Sequence, residues 1–232
     1  MAVLFRVLAM VVVALLVTGC ETANFKQTNE LKRTKPQPNV LLMPLDVELV
    51  ELSAGGVQEP KAEWTAAARA HMVTAIQLEK EAKGLRLVEF KNSEGSELPE
   101  QLVKLNRAVG KAVMMHQVND MPIWKLPSKQ GKMDWSLGPQ VQELRKQYDA
   151  DYALFFYVRD SYSSPGRVAA IAIAALFGVA VPGGVQAGFA TLVDLDSGDV
   201  VWINRLARGT GDLRTIEPAK ESVKLLLTGF PQ

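Results

Sequence analysis

The chain has 232 residues, 26 Lys and Arg against 25 Asp and Glu, a net charge of +1 and a single cysteine. Charge this evenly balanced lacks the concentrated positive face with which a protein displaces counterions from phosphate, which argues against a nucleic-acid partner. One cysteine excludes an internal disulfide and a multi-thiolate metal site, and the length suits one sizeable core or two small ones.

Residues 1–6 carry one positive charge, 7–17 form an unbroken apolar run, and Thr18-Gly19 supplies small residues before Cys20. Basic, apolar, then small is the order of a secretory signal peptide. The run falls short of the roughly 20 apolar residues that span a bilayer. Leu16-Val17-Thr18-Gly19-Cys20 resembles the lipobox of bacterial lipoproteins. The resemblance implies that 1–19 are removed, that Cys20 is lipidated on its thiol and acylated, for example with palmitate, on its new amino terminus, and that the membrane is a partner through this lipid. Glu21 stands where an inner-membrane retention signal would have Asp, so the implied place is the periplasmic face of the outer membrane. Two or more chains hold stably where one is marginal, since each buried methylene adds about 0.8 kcal/mol.

Residues 21–38 are polar and end in Pro36 and Pro38, so 20–38 is expected to be a flexible tether reaching about 20–25 Å. Its Lys26, Lys32, Arg33 and Lys35 leave two readings open, a solvated linker or contact with anionic headgroups. The folded part opens at Asn39. Residues 40–43 are continuously apolar, and Leu45, Val47 and Leu49 then alternate with Asp46 and Glu48. This predicts a strand that starts covered on both faces and emerges toward an edge. Pro44 inside it demands a bulge or an edge-facing position, because proline cannot donate to a ladder.

After Ser53-Ala54-Gly55-Gly56 and Pro60, residues 61–83 read as a helix with Trp64, Ala68, Met72, Ala75 and Leu78 on one stripe and Gly84 as its left-handed stop. A second strand follows over 85–90, completing a βαβ unit. Residues 92–95 turn the chain. A second helix over 98–117 carries Leu98, Leu102, Leu105, Val109, Ala112 and Val113, with Pro99 in its first turn. Residues 121–138 are irregular and hold Trp124 and Trp135, which read as lids on the core or as a binding platform. A short helix over 139–148 and an apolar strand over 150–158 come next.

Residues 168–181 (VAAIAIAALFGVAV) contain no polar side chain and stop at Pro182-Gly183-Gly184. Their alanine content favours helix, and a helix of that length is about 21 Å long, short of a hydrocarbon core of about 30 Å. A barrel strand would need alternate polar residues. Two readings stay open: a buried or interface helix, or membrane insertion, alone or by oligomerising. Strands over 185–195 and 200–206 are joined by Asp196-Ser197-Gly198-Asp199, a hairpin turn. Val185, Ala187, Phe189, Thr191, Val193 and Leu195 share one face of the first, and Asn204 breaks the apolar face of the second. A helix over 217–227 closes the chain.

Catalytic and metal motifs are sparse. His71 and His116 sit on separate helices without a second histidine at ligand spacing. Ser161, Ser163 and Ser164 lie near Asp160 but lack a nucleophile elbow. Gly183-Gly184-Val185-Gln186-Ala187-Gly188 precedes a strand, whereas a phosphate cradle must feed a helix amino terminus. Asp194, Asp196 and Asp199 lack the closing glutamate of a calcium loop and suit the hairpin.

The run ADYALFFYV at 150–158, the hairpin GFATLVDLDSGDVVWIN at 188–204 and a closing helix ending in GFP resemble the periplasmic α/β domain shared by the curli-export lipoprotein family and the TolB amino-terminal domain. DWSLG at 134–138 and the VDLDSGDVVW hairpin also resemble a group of bacterial lipoproteins without an assigned activity. The resemblance implies a role in envelope assembly or export. The expected fold class is α/β: a three-layer-like mixed sheet of about five strands with flanking helices, ending in a β-hairpin and a closing helix. The expected organisation is signal peptide 1–19, tether 20–38 and one periplasmic domain over 39–232 with the apolar insertion 168–181. The expected task is that of a lipid-anchored, non-enzymatic envelope accessory with no cofactor, catalytic residue or metal, partnered by a second copy of itself or by other envelope proteins. The alternative is an oligomeric ring or channel former that uses 168–181.

Overall fold

A computed structural model describes residues 37–91, 97–119 and 121–231, together with the backbone of 22–27. The expected leader, Cys20, most of the rest of the expected tether and the expected turn at 92–95 lie outside the described residues. The expected α/β class holds, and the sheet is larger than expected, with eight strands among the described residues. They are β1 (Thr22–Gln27), β2 (Asn39–Leu42), β3 (Asp46–Leu52), β4 (Gln58–Pro60), β5 (Arg86–Glu89), β6 (Tyr152–Ser163), β7 (Gln186–Asp194) and β8 (Val200–Arg208). The main order is β1-β8-β7-β6-β2-β5, with β3 on β6 beyond β2, and β4 on β3.

Two strands were not expected. β4 forms a small hairpin with β3. β1 falls inside the stretch expected to be a tether and instead pairs antiparallel along the outer edge of β8, Thr22 opposite Ala207 and Gln27 opposite Trp202. Its sequence TANFKQ has no apolar alternation to announce it, but an open edge of unpaired amides and carbonyls recruits backbone whatever the side chains are. At Pro44 the single strand expected, with a bulge or an edge-facing position, divides instead into two. Met43 still donates its amide to the Leu154 carbonyl at 3.0 Å, and the chain then re-enters as β3, parallel to the later half of β6.

Helices α1 (Ala62–Lys83) and α5 (Ile216–Leu226) cover one face of the sheet, and α2 (Leu98–Val113) and α3 (Gln142–Tyr148) the other. The faces follow from strand alternation. Leu154, Phe156 and Val158 join Met72, Ile76 and Val223 on the first side, while Ala153 and Phe155 join Leu102 and Leu144 on the second. Gly84 ends α1 at φ 63°, as expected. Ile76 rather than Leu78 completes the buried stripe of α1, and on α2 the buried line runs through Leu102, Asn106, Gly110 and Val113, leaving Leu105 exposed. Asn106 is tolerated there because it accepts a hydrogen bond from the Thr191 hydroxyl at 2.7 Å. Asn204, which breaks an apolar face in sequence, is fully buried, and its Nδ2 lies within hydrogen-bond reach of the carbonyls of Leu225, Leu226 and Thr228 at the end of α5. Its amide donates to carbonyls that the last turn of a helix leaves unmet.

Gly184 and Gly188 serve close backbone approach. A Cβ at Gly188 would lie 2.2 Å from the Tyr157 carbonyl oxygen, and one at Gly184 would lie 1.9 Å from that of Ser161, whereas Gly183 has nothing nearer than 3.8 Å. Gly188→Ala is therefore expected to destabilise the fold by about 1–3 kcal/mol through overpacking, and Gly183→Ala to be near neutral. Urea unfolding of the two variants checks this, and equal midpoints would contradict it.

Candidate functional site

The register places several features at one end of the sheet. Arg159, Ala187, Ala207 and Thr22 form one row across β6, β7, β8 and β1, so Thr22 stands three strand spacings, about 14 Å, from β6. From this row β6 runs on to Ser163 and leads into α4 (Pro165–Leu176). Cys20 is two residues before Thr22, and two extended residues span at most about 7 Å. The start of β1 and the root of α4 thus share one end of the sheet.

α4 begins where local chemistry dictates. Ser164 takes the cap position and accepts from the Arg167 amide at 3.2 Å, and Pro165 fills the first turn. The apolar stretch was expected to be buried, at an interface or inserted. Within the chain it is none of the first: no residue of α4 is buried, and the helix stops at Leu176, short of the expected 181. Leu176 is 84% exposed, Phe177 79% and Ile173 58%. No helix among the described residues is long and apolar enough to cross a membrane. The base of the excursion is fastened: the Ser161 hydroxyl accepts from the Val185 amide at 2.9 Å and donates to its carbonyl at 3.0 Å, and Arg167 Nη2 reaches the Pro182 carbonyl at 2.8 Å.

Beneath this end, on the α1 and α5 face, lies a buried polar chain. Asp160 Oδ2 accepts from the Tyr162 hydroxyl and from Gln186 Nε2 at 2.8 Å. The Leu213 amide donates to Tyr162 Oη at 3.0 Å, Ser222 Oγ donates to Gln186 Oε1 at 2.6 Å, and Arg208 joins Ser222 to Glu221. Arg214, paired with Asp212 at 2.7 Å, covers the rings of Tyr162 and Trp64 at 4.0 and 4.7 Å. Burial pushes the Asp160 carboxyl up, against the hydrogen bonds that pull it down. Burial, with Asp160 beside it, also drives the Tyr162 hydroxyl far upward, so it remains a donor. The Arg214 hydrogen bond holds Asp212 below the usual range.

Of the sparse catalytic candidates, Asp160, Ser161 and Ser163 line one cavity of about 220 Å³ at the end of β6, and neither histidine lines it. His71 Nδ1 meets the Leu213 carbonyl at 3.0 Å on the Asp160 face, while alternation turns Ser161 to the opposite face. His116 Nδ1 is held by the Trp124 carbonyl at 2.7 Å on α2's side of the sheet. Asp194 Oδ1 accepts from the amides of Asp196 and Ser197 within the hairpin turn, and Asp196 pairs with Arg145. Among the described residues no group of three or more His, Cys, Asp or Glu is placed to hold a metal.

The second face carries a cleft of about 680 Å³ that no sequence signal announced. α2 continues as a π-helical turn, Met114–Val118, and the cleft lies between this turn with Trp124 and the strand row of Arg159, Ala187 and Ala207. The two loop tryptophans divide the roles left open for them: Trp135 packs half-buried on the core, and Trp124 is exposed and lines the cleft.

Sheet, covering helices and cleft define a mixed α/β domain with an apolar helical excursion at one end. No protein-family model matches the chain, and no curated protein matches it. Among solved structures it is similar to the PelC dodecamer from Paraburkholderia phytofirmans, at 12% identity and a TM-score of 0.43 over 90% of this chain and 96% of that one. It is also similar to a single-residue variant of that dodecamer, at 15% identity and a TM-score of 0.41 over the same shares. At such scores the likeness carries no argument about what this chain does.

An acid whose folded-state pKa is raised stabilises the fold fully only below its unfolded pKa, about 3.9 for Asp, and that contribution is lost as pH rises through the raised value. Asp212, shifted down, acts in the opposite direction, losing its contribution as pH falls below the ordinary range. Asp160→Asn should therefore remove a decline in stability that wild type shows as pH rises above the ordinary carboxylate range. Thermal unfolding across a pH series checks it, and superimposable profiles would contradict burial as the dominant cause.

Proposed function

We propose that the chain is a lipid-anchored protein of the periplasmic face of the outer membrane, an accessory in envelope assembly or export, held against the bilayer at two points. The first is acylated Cys20 and the second is the apolar surface of α4. The observation that carries this reading is the shared sheet end: α4 rises from the end of β6 with none of its residues buried, and β1 starts at the same end two residues after Cys20. An anchor so close to the domain leaves little slack, in contrast to a long flexible tether. α4 has 12 residues, about 18 Å as a helix, which suits lying in the interface rather than crossing a core of about 30 Å. Each Leu, Ile or Phe side chain moved from water into the acyl boundary contributes up to about 1.5–3 kcal/mol. A few such residues supplement an acyl anchor through the high local concentration that tethering provides.

The exposed helix also fits the second reading, a subunit interface in an oligomeric ring, and the two readings separate by experiment. Palmitate labelling should mark wild type and not Cys20→Ser, and wild-type protein recovered soluble in the periplasm would overturn the anchor. In nanodiscs containing brominated lipid, the added emission of Phe177→Trp should be quenched. Unquenched emission together with a large assembly in detergent would replace bilayer contact with the ring.

A further inference from the structure

We propose that the cleft between the π-helical turn and the sheet is a binding site for a single-chain amphipathic anion, an acyl chain with a carboxylate or phosphate head. This goes beyond the anchoring reading and does not depend on it. The volume, about 680 Å³, lies within the range of small-molecule sites, about 300–1,000 Å³. The walls are chiefly apolar: Met114 and Met115 from the π turn, Phe189 and Ala187 from β7, and Trp124 from the loop. Methionine adapts its shape to a flexible chain at little cost, and such walls call for an apolar body in the ligand.

The charged lining residues among those described are Lys111, Arg159 and Arg205, none of them a carboxylate. Arg159 is fixed in place by Asp46 at 2.8 Å and Glu48 at 3.0 Å, and its guanidinium lies 4.3 Å from the Tyr157 ring. Lys111 Nζ lies 5.1 Å from the same ring and, among the described residues, has no carboxylate within ion-pair distance. The ammonium is therefore placed at the edge of an apolar cavity with no acidic partner among the described residues, and an anionic head at that edge would complement it.

The cleft is also pre-formed. His116 holds the Trp124 carbonyl, Gln117 Nε2 donates to the Gly131 carbonyl at 2.6 Å, and Lys125 Nζ reaches the Gln117 carbonyl at 3.3 Å. These bonds tie the loop wall to the π turn, so little ordering is left to oppose binding. On the opposite wall, Tyr157 and Phe189 stack with centroids 4.9 Å apart. The π turn, an arrangement common at functional sites, ends at Asn119, where the backbone becomes extended.

The test uses the full chain in nanodiscs and photoreactive C16 probes with one diazirine chain and four heads: carboxylate, lysophosphatidylglycerol, uncharged monoglyceride and trimethylammonium. Adducts are mapped by mass spectrometry. Both anionic probes should label the 114–124 segment, and a strong preference for one identifies the head. The cationic probe should label it about tenfold less, the ratio of one charge contact worth about 1.4 kcal/mol. Lys111→Glu, at an exposed position, should lower anionic labelling by a similar factor and leave the uncharged probe unchanged. Ala187→Trp, or Met115→Trp should that variant fail to fold, should abolish labelling by filling the cavity. Equal labelling by all four heads, adducts confined to α4, or labelling insensitive to both tryptophan variants would overturn the proposal.

Discussion

All twelve residues of β6 lie in a ladder with a neighbouring strand, and this double engagement governs where the rest of the molecule stands. Its first half is parallel to β2, its second half parallel to β3, and its other side is antiparallel to β7. Backbone groups in the middle of a sheet have no water to turn to, so each must be met by a neighbour in register. That requirement explains the close approach at Gly184 and Gly188, where a Cβ would meet a carbonyl oxygen of β6. It also sets the row of Arg159, Ala187, Ala207 and Thr22, which aligns the ends of β1, β7 and β8 with the later half of β6.

From that alignment follow two opposed surfaces at one end of the sheet. Below α1 and α5, Asp160, Tyr162, Gln186, Ser222 and Arg208 are buried or half-buried and joined by hydrogen bonds, a connected network of the kind that a low-dielectric interior tolerates. Beyond the strand ends, α4 and the residue after it hold Val168, Ile173, Leu176 and Phe177 exposed. Ser161 joins the two regions, its hydroxyl bound to both backbone groups of Val185 at the neck of the excursion. The apolar helix is thus held out on a rigid base rather than on a loose loop. This is the geometry expected of a surface with an occupant outside the chain.

Much of the domain was legible in the residues. The βαβ unit, the stop at Gly84, the interruption at Pro44, the Asp196 to Asp199 turn and the closing helix all rest on local rules, and all are present. The errors share a cause. Leu78 and Leu105 belong to apolar stripes by spacing yet are exposed, while Asn106 and Gly110 are buried because Thr191 and the Phe189 ring meet them from β7. β1 carries no apolar alternation, and only the open edge of β8 makes TANFKQ a strand. The 168–181 stretch announced its composition but not its exposure, since exposure is a property of what lies opposite.

The sequence by itself determined the segments, their order and the apolar face that each could offer, because capping, turn chemistry and hydrophobic period act over a few residues. Only the tertiary structure decided that the start of β1 and the root of α4 share one end of the sheet, since strand order and register depend on partners far apart in the chain. The same holds for the cleft. Its walls come from α2, the Trp124 loop, β6, β7 and β8, and no local pattern in any one of them specifies the space left between them.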